Sequence, residues 1–378
     1  MKYTEEHKIF RQALRKFLEK EVLPYVDEWE KKEGVPRSLW KKLGEGKYLC
    51  TWVDKRYGGF GAGFEYTVIL REEFAKANFG IGIAGHSDIV APYIADYGTE
   101  GQKKRWLPGC TTGDIILSIA MTEADAGSDL KSIRTTAVKD GDYFVINGQK
   151  TYITCGIDTD LVILAAKTDL NDDPVSKGIS LFAVEVDTPG FVKSRKLNKM
   201  GLHSQDTAEL YFDNCWVPTT NMIGEEGMGF SYLKGELQRE RLVLSIWAQA
   251  TAERILSDAL IQSKTNQACL QPIGNFQHIA FEIAEMATEV ELGRSFVDKL
   301  IEEFMAGKNI VTRVSMAKWW TSEMANRIAC KTLELYRDYG YMEENPLARL
   351  YRDVRAQPIF GGTTEIMKLI ISNNLGLK

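Results

Sequence analysis

The spacing of apolar residues divides the chain into three regions. Up to about residue 115, apolar side chains recur every three or four positions with charges between them, which predicts amphipathic helices. From about residue 228 the same period returns in long stretches, which predict four helices with short connections, typical of an up-and-down bundle. We place these four helices at about 229–264, 274–306, 310–337 and 363–375.

Between about residues 116 and 220 the hydrophobic period changes to two, which predicts β-strands. Tyr143–Ile146 and Gln149–Ile153 flank Asn147-Gly148, a pair that tolerates positive φ at both turn positions, so we predict a hairpin there. Because no long helix separates the predicted strands, they should be largely antiparallel. Further strands are predicted at about 161–166, 179–186 and 209–217.

These patterns predict a mainly α protein with a central β domain, in the α+β class. A length of 378 residues corresponds to roughly two to three domains. We place an N-terminal helical domain at 1–115, an antiparallel β-sheet or barrel domain at 116–226 and a C-terminal four-helix bundle at 227–378.

The composition excludes several functional classes. With 47 Lys and Arg against 52 Asp and Glu, the net charge is -5, whereas a nucleic-acid-binding protein shows a basic excess. The six cysteines and four histidines are scattered without a CxxC pair or a His cluster, which favours free thiols over disulfides or a metal site. The sequence MKYTEEHKIF is not a secretory signal, and no run of about 18 apolar residues predicts membrane insertion. We therefore expect a cytoplasmic protein.

Two glycine-bearing segments are candidates for chemistry: MTEADAGSD at 121–129 and FGGTTEIMK at 360–368. Gly, Thr and Ser supply backbone N–H groups and hydroxyls at close approach, which suits a phosphate, a carbonyl or a heteroaromatic ring. The second segment is equally well interpreted as a turn followed by a helix cap. No P-loop, HExxH or GxSxG motif occurs. The residues alone leave both interpretations open.

Several longer segments resemble those of one enzyme family, the acyl-CoA dehydrogenases, and most of all its long-chain type. The segments are LSIAMTEADAGSDL (117–130), NGQKTYITCG (147–156), KMGLHSQDTAELYFDN (199–214), GEEGMGF (224–230), RERLVL (239–244) and QPIFGGTTEIMK (357–368). The resemblance implies an FAD-dependent oxidoreductase of fatty-acid β-oxidation, which desaturates an acyl-CoA thioester between its α and β carbons. It also implies the order of helical domain, β domain and four-helix bundle.

The resemblance assigns one set of residues to FAD. Thr122 is expected to lie against the pyrimidine side of the flavin, and Thr154 is expected to hydrogen-bond near its N5. Ser128 matches a position near both the cofactor and acyl-CoA. The full set implied for the cofactor is Ile119, Met121, Thr122, Ser128, Tyr152, Ile153, Thr154, Thr363 and Glu365.

The resemblance also implies which residue is the catalytic base. Most family members have a glutamate directly before the C-terminal Gly-Thr, where this chain has Gly361. The long-chain and isovaleryl types have it on the first long bundle helix before Arg-Leu, which matches Glu240. Arg241 is expected to buttress this helix, and the Gly361 N–H to stabilise charge on the thioester oxygen. The residues assigned to the substrate side are Ser128, Arg241, Gly361 and Gly362.

Two stretches depart from the family pattern. In the family a neighbouring subunit holds the adenine and pyrophosphate of FAD with an Arg-x-x-Phe-Gly run and a Gln-x-x-Gly-Gly run. The matching residues here are Asn266, Cys269 and Leu270, then Glu334, Arg337 and Asp338. Because a cation is lost and acidic groups are gained, three interpretations stay open. In the first, the chain binds FAD as a homomer through substitutes such as Arg337. In the second, it is one half of a heteromeric dehydrogenase and keeps a catalytic site whose adenine end a different subunit completes, or it is an FAD-poor or non-catalytic subunit of such a complex. In the third, it has lost the cofactor and serves as a binding or structural partner.

The remaining expectations concern partners and substrate. The resemblance implies electron-transfer flavoprotein as the electron acceptor, with oxygen, as in an acyl-CoA oxidase, as the alternative. It implies a homotetramer, or a heteromer with a paralogous subunit. The sequence does not determine the length or shape of the acyl group. Asp88 is interpreted either as a second carboxylate near the acyl pocket or as a helix-capping or surface residue.

Overall fold

The computed structural model describes residues 3–169 and 178–377. The helices are α1 (Glu5–Glu21), α2 (Val26–Lys32), α3 (Arg37–Glu45), α4 (Phe64–Lys76), α5 (Ala91–Tyr97), α6 (Glu100–Thr112), α7 (Gly229–Thr265), α8 (Gln277–Met305), α9 (Val311–Leu335), α10 (Arg337–Gly340), α11 (Pro346–Val354) and α12 (Thr364–Asn374). The strands are β1 (Leu117–Ala120), β2 (Thr136–Asp140), β3 (Tyr143–Thr154), β4 (Leu161–Lys167), β5 (Ile179–Glu185), β6 (Phe191–Lys196), β7 (Thr207–Pro218), β8 (Met222–Ile223), β9 (Gln267–Ala268) and β10 (Gln271–Pro272).

The chain packs into two compact units, each assembled from segments that are distant in sequence. The first unit contains residues up to 19, 68–79 and those from 240 onward. The second contains 20–67 and 80–239. The units do not follow the three sequence-based domains, so those boundaries stay a prediction.

The second unit contains one sheet of eight strands, in the order β6-β7-β3-β2-β4-β5-β8 with β1 beside β4. Most neighbours are antiparallel, as predicted, but β1 runs parallel to β4, and β2 meets β4 in parallel at Thr136 and Lys167. The sheet is therefore mixed. The β2–β3 hairpin lies between β1 and β4 in the sequence. The chain reverses direction between β2 and β3 and again between β3 and β4, so β4 runs parallel to β1.

The predicted hairpin at Asn147-Gly148 is wrong. The chain turns instead at Gly141 and Asp142, between β2 and β3, and β3 continues through residues 147 and 148. There the pairing of β3 with β7 shifts register between Ile146 and Gly148, which is a bulge. Gly148 has φ of 155°, and a Cβ on it would overlap Thr135. The Asn-Gly pair therefore serves a bulge and a close backbone approach rather than a turn.

The first unit contains the four long helices that the sequence predicts: α7 from Glu240 onward, α8, α9 and α12. The predicted short connection before the last of them is wrong, because residues 336–363 contain the additional helices α10 and α11. Apolar side chains of α7, α8, α9 and α11 share one core. Its fully buried members include Ala252, Ile255, Met324 and Ile328.

A charge cluster joins α1, α4 and α8 in the first unit. Arg11 donates to Glu72 at 2.8 Å and to Glu73 at 2.6 Å, and Arg294 donates to Glu72 at 3.0 Å. These carboxylates are nearly buried, so their compensation by arginine matters more than that of a surface pair. The cluster fixes the short α4 segment against the bundle helices.

All six cysteines are free thiols, as predicted, and four of them are buried. Within the described residues, no helix is both long and apolar enough to cross a membrane.

Candidate active site

Hydrogen bonds hold the loop after β1 against the end of β3. The Thr151 N–H donates to the Thr122 carbonyl at 2.9 Å. The Lys150 Nζ donates to the Met121 carbonyl, also at 2.9 Å. Thr122 is thereby fixed beside the strand that ends at Thr154.

A buried ion pair supports this loop. The Lys150 Nζ is 2.8 Å from Glu123 Oε1, and the lysine side chain is fully buried. Glu123 also accepts from the N–H and hydroxyl of Thr135 and from the Arg134 N–H. Burial lowers the pKa of Lys150 to about 8, against the opposing effect of Glu123. Burial would raise the pKa of Glu123, but the lysine charge and these hydrogen bonds together hold it below its ordinary value.

The hydroxyls of Thr122 and Thr154 suit a bound heteroaromatic ring. Both side chains are partly buried, and neither hydroxyl makes a hydrogen bond within the described residues. Just before Thr154, strand β3 is irregular: its pairing shifts register between Lys150 and Ile153, and Tyr152 has φ of 59°. The Tyr152 side chain is 69% exposed. Flavin presents ring carbonyls and nitrogens that require such donors. The residues present therefore fit FAD.

The other residues of the second unit that are expected at the cofactor differ in which of their groups a ligand could reach. Met121 is partly buried, and its carbonyl is occupied by Lys150. Ile153 is 2% exposed and packs in the sheet core, so only its backbone is available to a ligand. Ile119 packs against the neighbouring core, whereas Ser128 is exposed. The structure thus brings the backbone segments together without giving every residue a side-chain role.

Glu240 and Gly361 come together in the first unit. Glu240 is buried on α7, and its Oε2 has no hydrogen-bond partner within the described residues. A Cβ on Gly361 would lie 3.3 Å from Glu240 Oε1 and would overlap Leu244. Burial raises the pKa of Glu240, and the charges of Arg241 and Lys318 offset part of this effect. A carboxylate made more basic by burial can accept a proton from a weak acid.

The glycine turn beside Glu240 leaves a backbone donor free. Gly361 and Gly362 have φ of 66° and 97°, values that glycine adopts without strain. The Gly361 N–H makes no hydrogen bond within the part of the chain that the structure describes. Such a donor can stabilise a developing negative charge on oxygen.

Lys318, which the sequence analysis missed, contacts this turn. It is 1% exposed on α9, and its Nζ donates to the Gly362 carbonyl at 2.6 Å. Burial lowers its pKa to about 8, against the raising effect of Glu240. The available signal was a lysine on the apolar face of a bundle helix, in VSMAKWW.

The C-terminal segment combines a helix cap with a cavity wall. The Thr363 hydroxyl accepts from the Ile366 N–H at 3.3 Å and caps α12, so the capping interpretation is confirmed. Its side chain also lines a cavity of about 390 Å³ in the first unit, together with Glu365, Glu323, Arg355 and Cys330 among others. The assignment of Thr363 and Glu365 to FAD stays a prediction that this cavity permits.

The stretches that depart from the family pattern lie on the surface of the first unit. Leu270 is 99% exposed at the tip of the β9–β10 hairpin, and Cys269 beside it is exposed. Arg337 has φ of 51° and begins α10, with one residue between it and the end of α9. The Asn266 side-chain amide donates to the Leu335 carbonyl at 3.4 Å, which joins the two stretches.

Asp88 lies in a π-helical turn of the second unit, Gly85–Val90. It is 2% exposed and accepts from the Thr67 hydroxyl at 3.0 Å. The interpretation as a surface residue is therefore wrong. Its role as a second carboxylate for an unusual acyl group stays a prediction.

The first unit has a buried carboxylate facing a glycine turn, and the second has two threonine hydroxyls without a hydrogen-bond partner among the described residues. Each feature suits a flavoprotein oxidoreductase with helical and sheet domains. Three sequence models match the chain: the acyl-CoA dehydrogenase N-terminal domain at residues 4–114, the middle domain at 118–215 and the C-terminal domain at 227–376. The chain belongs to the acyl-CoA dehydrogenase family. The expected fold class and FAD-dependent acyl-CoA dehydrogenase activity are thereby confirmed.

Individual relatives agree with this assignment. The chain is 42% identical to a mitochondrial long-chain specific acyl-CoA dehydrogenase of Sus scrofa, over 99% of this chain and 87% of the relative. It is 35% identical to an acyl-CoA dehydrogenase of Bacillus subtilis (strain 168), over 99% of each chain. A crystal structure of an acyl-CoA dehydrogenase from Geobacillus kaustophilus has a TM-score of 0.97 and 55% identity, covering 99% of this chain and 98% of that one.

Proposed function

We propose that Glu240 is the base that removes the α-proton of an acyl-CoA thioester. The observation that carries the proposal is the position of its buried carboxylate opposite Gly361, the place where most of the family carries the base. A thioester α-proton is far too weakly acidic for a carboxylate with an ordinary pKa of about 4.3. Burial raises the pKa of Glu240 and so reduces the difference in pKa between this carboxyl group and the α-proton.

The glycine turn supplies the second requirement of the reaction. As the proton leaves, negative charge develops on the thioester oxygen and must be stabilised. The N–H of Gly361, which makes no hydrogen bond to any described residue, is the donor that we assign to this oxygen. We assign Arg241, a buried cation next to Glu240, to the substrate side and to the support of the helix around the base.

Thr122 and Thr154 are the residues that we assign to the flavin ring, through hydroxyls that have no hydrogen-bond partner among residues 3–169 and 178–377. FAD bound beside these residues would supply the acceptor for the β-hydride that desaturation to an enoyl-CoA requires. Lys150 and Glu123 keep the Thr122 loop in place.

The finer assignments follow the relatives. We propose a long-chain acyl-CoA substrate, because the mitochondrial relatives at 41–42% identity carry that name. We also propose electron-transfer flavoprotein as the acceptor, a homotetramer and a cytoplasmic location. A heteromeric alternative is favoured by one observation, the exposed Cys269 and Leu270 where the family supplies an adenine-binding run. The acyl-CoA oxidase alternative predicts peroxide release in air.

Glu240→Gln tests the proposal. This variant should keep the fold and the flavin spectrum and lose roughly 10³-fold in turnover, because it keeps the shape but removes the proton acceptor. Glu253→Gln, on the same helix and outside the glycine turn, is the matched control and should retain turnover. Turnover of Glu240→Gln close to that of the unmodified protein would refute the assignment.

A further inference from the structure

Lys318 is a buried cation that the mechanism above does not use. It is 1% exposed on α9. Burying an ammonium group costs free energy unless its charge and donors are compensated. A lysine in this position therefore needs a local partner, and the structure supplies two.

The first partner is the glycine turn. The Lys318 Nζ donates to the Gly362 carbonyl at 2.6 Å. Both glycines of the turn have positive φ and no side chains, and a backbone hydrogen bond from the Thr364 N–H to the Pro358 carbonyl at 3.1 Å spans the turn. A charged donor on the carbonyl restricts the orientation of the turn, including the neighbouring Gly361 N–H.

The second partner is the charge on Glu240. The carboxylate of Glu240 raises the pKa of Lys318, and the ammonium in turn lowers the pKa of Glu240. Arg241 acts on both groups from α7. The remaining charged groups that face Lys318 are Glu323 on its own helix and Glu365 on α12.

We propose that Lys318 is a positioning residue for proton abstraction: its ammonium fixes the Gly361–Gly362 turn and keeps the Glu240 carboxylate ionised. This inference rests on the proposed function of Glu240. It assigns Lys318 no contact with substrate. Its two contributions, a hydrogen bond and a charge, can be separated by substitution.

The experiment measures proton abstraction without oxidation. A 3-thia-acyl-CoA carries sulfur at the β position and has no β-hydrogen to transfer. Exchange of its α-hydrogens for deuterium, followed by NMR in D₂O from pH 5 to 9, reports on proton abstraction without hydride transfer. FAD content and thermal unfolding of each purified variant are measured in parallel.

Three substitutions separate the contributions. Lys318→Gln keeps a donor but loses the charge, so the acid limb of the exchange profile should move up by about one pH unit. Lys318→Met loses both and should show the same shift and an additional fall of about tenfold in the plateau rate. Lys318→Arg keeps the charge and should keep the acid limb. Lys331→Met, the same change at a partly exposed lysine on α9 that pairs with Glu285, should match the unmodified protein.

An unshifted acid limb in Lys318→Gln with normal FAD content would overturn the proposal, whether or not Lys318→Met folds. Loss of stability alone, with an unmoved profile, would show a merely structural role and also overturn it. The proposed base is tested separately by Glu240→Gln. If that variant exchanges normally, the assignment of Glu240 fails. If it does not exchange while Lys318→Gln is unshifted, only the role of Lys318 fails.

Discussion

The carboxylate of Glu240 occupies the space into which a side chain at Gly361 would project, since a Cβ there would lie 3.3 Å from Oε1. The same Cβ would overlap Leu244, one turn further along α7. Two side chains cannot share this space in a packed interior. A base on the bundle helix therefore requires a residue without a side chain at position 361, and the two features belong together.

Relocating the carboxylate tests this relationship. Glu240→Gly with Gly361→Glu should restore only a small part of the activity lost in Glu240→Gly. A non-glycine residue at φ of 66° costs about 1–2 kcal/mol, and Leu244 obstructs it. Adding Leu244→Ala should raise the recovered kcat. Full recovery in the double variant, or none in the triple variant, would show that Leu244 does not define this space.

Breaking the ion pair between Lys150 and Glu123, which supports the Thr122 loop, should lower the free energy of unfolding. Lys150→Met leaves Glu123 buried without its cation, so we expect a loss of about 3–5 kcal/mol in the free energy of unfolding, and easier release of FAD. Urea unfolding and flavin retention on gel filtration measure the two effects. Glu123→Gln with Lys150→Met should recover most of the stability, because no uncompensated charge remains. A double variant as unstable as the single one would contradict this account.

Stability should fall as pH decreases because of His86. Its Nδ1 accepts from the Leu117 N–H at 3.1 Å, its Nε2 lies 3.0 Å from the Cys110 carbonyl, and burial lowers its pKa to about 4. Since the folded pKa lies below the unfolded value of about 6.5, only the unfolded chain gains a proton as pH falls from 6.5 towards 4. The free energy of unfolding should drop by about 2 kcal/mol between pH 7.5 and 5.

His86→Gln is the matched control, because glutamine can donate and accept but does not titrate. Urea unfolding of both proteins at the two pH values isolates the histidine from other titrating groups. The variant should lack this part of the pH dependence. Equal pH dependence in the two proteins would mean that His86 does not titrate as described.

Periodicity predicted the long helices well because their apolar faces are continuous over many turns. It failed between them, where the short helix α11 carries too few turns to be distinguished from a loop. Asn147-Gly148 was misassigned because positive φ serves a bulge as well as a turn, and only the partner strand decides between them. Local sequence does not contain that partner.

The candidate site also contains some residues that the sequence predicts and others that it does not. Glu240 and Gly361 could be predicted from the sequence because two complementary departures from the common family pattern point to each other. Lys318 and the Lys150–Glu123 pair could not, because a lysine in a helix or strand is ordinarily solvated. Their importance comes from burial, which depends on packing across elements that are distant in sequence.

The last prediction concerns how FAD is held. In the family a neighbouring subunit supplies an arginine to the pyrophosphate, and this chain has Asn266 at the matching position. We therefore expect the homomeric protein to bind FAD weakly and to lose it on dilution. Asn266→Arg should tighten FAD by about 1–2 kcal/mol, because a guanidinium can form charge-assisted hydrogen bonds with pyrophosphate. Flavin fluorescence during dilution measures the affinity.

Asn266→Gln is the control, because it lengthens the side chain without adding charge, and it should leave the affinity unchanged. Co-expression with a paralogue that has intact adenine-binding runs should tighten FAD without any substitution, if the chain is half of a heteromer. Suppose that the unmodified chain alone retains one FAD per subunit through gel filtration. The stretches around Asn266 and Arg337 would then hold adenine in a different way, with Arg337 as the available cation, and the heteromeric alternative would be abandoned.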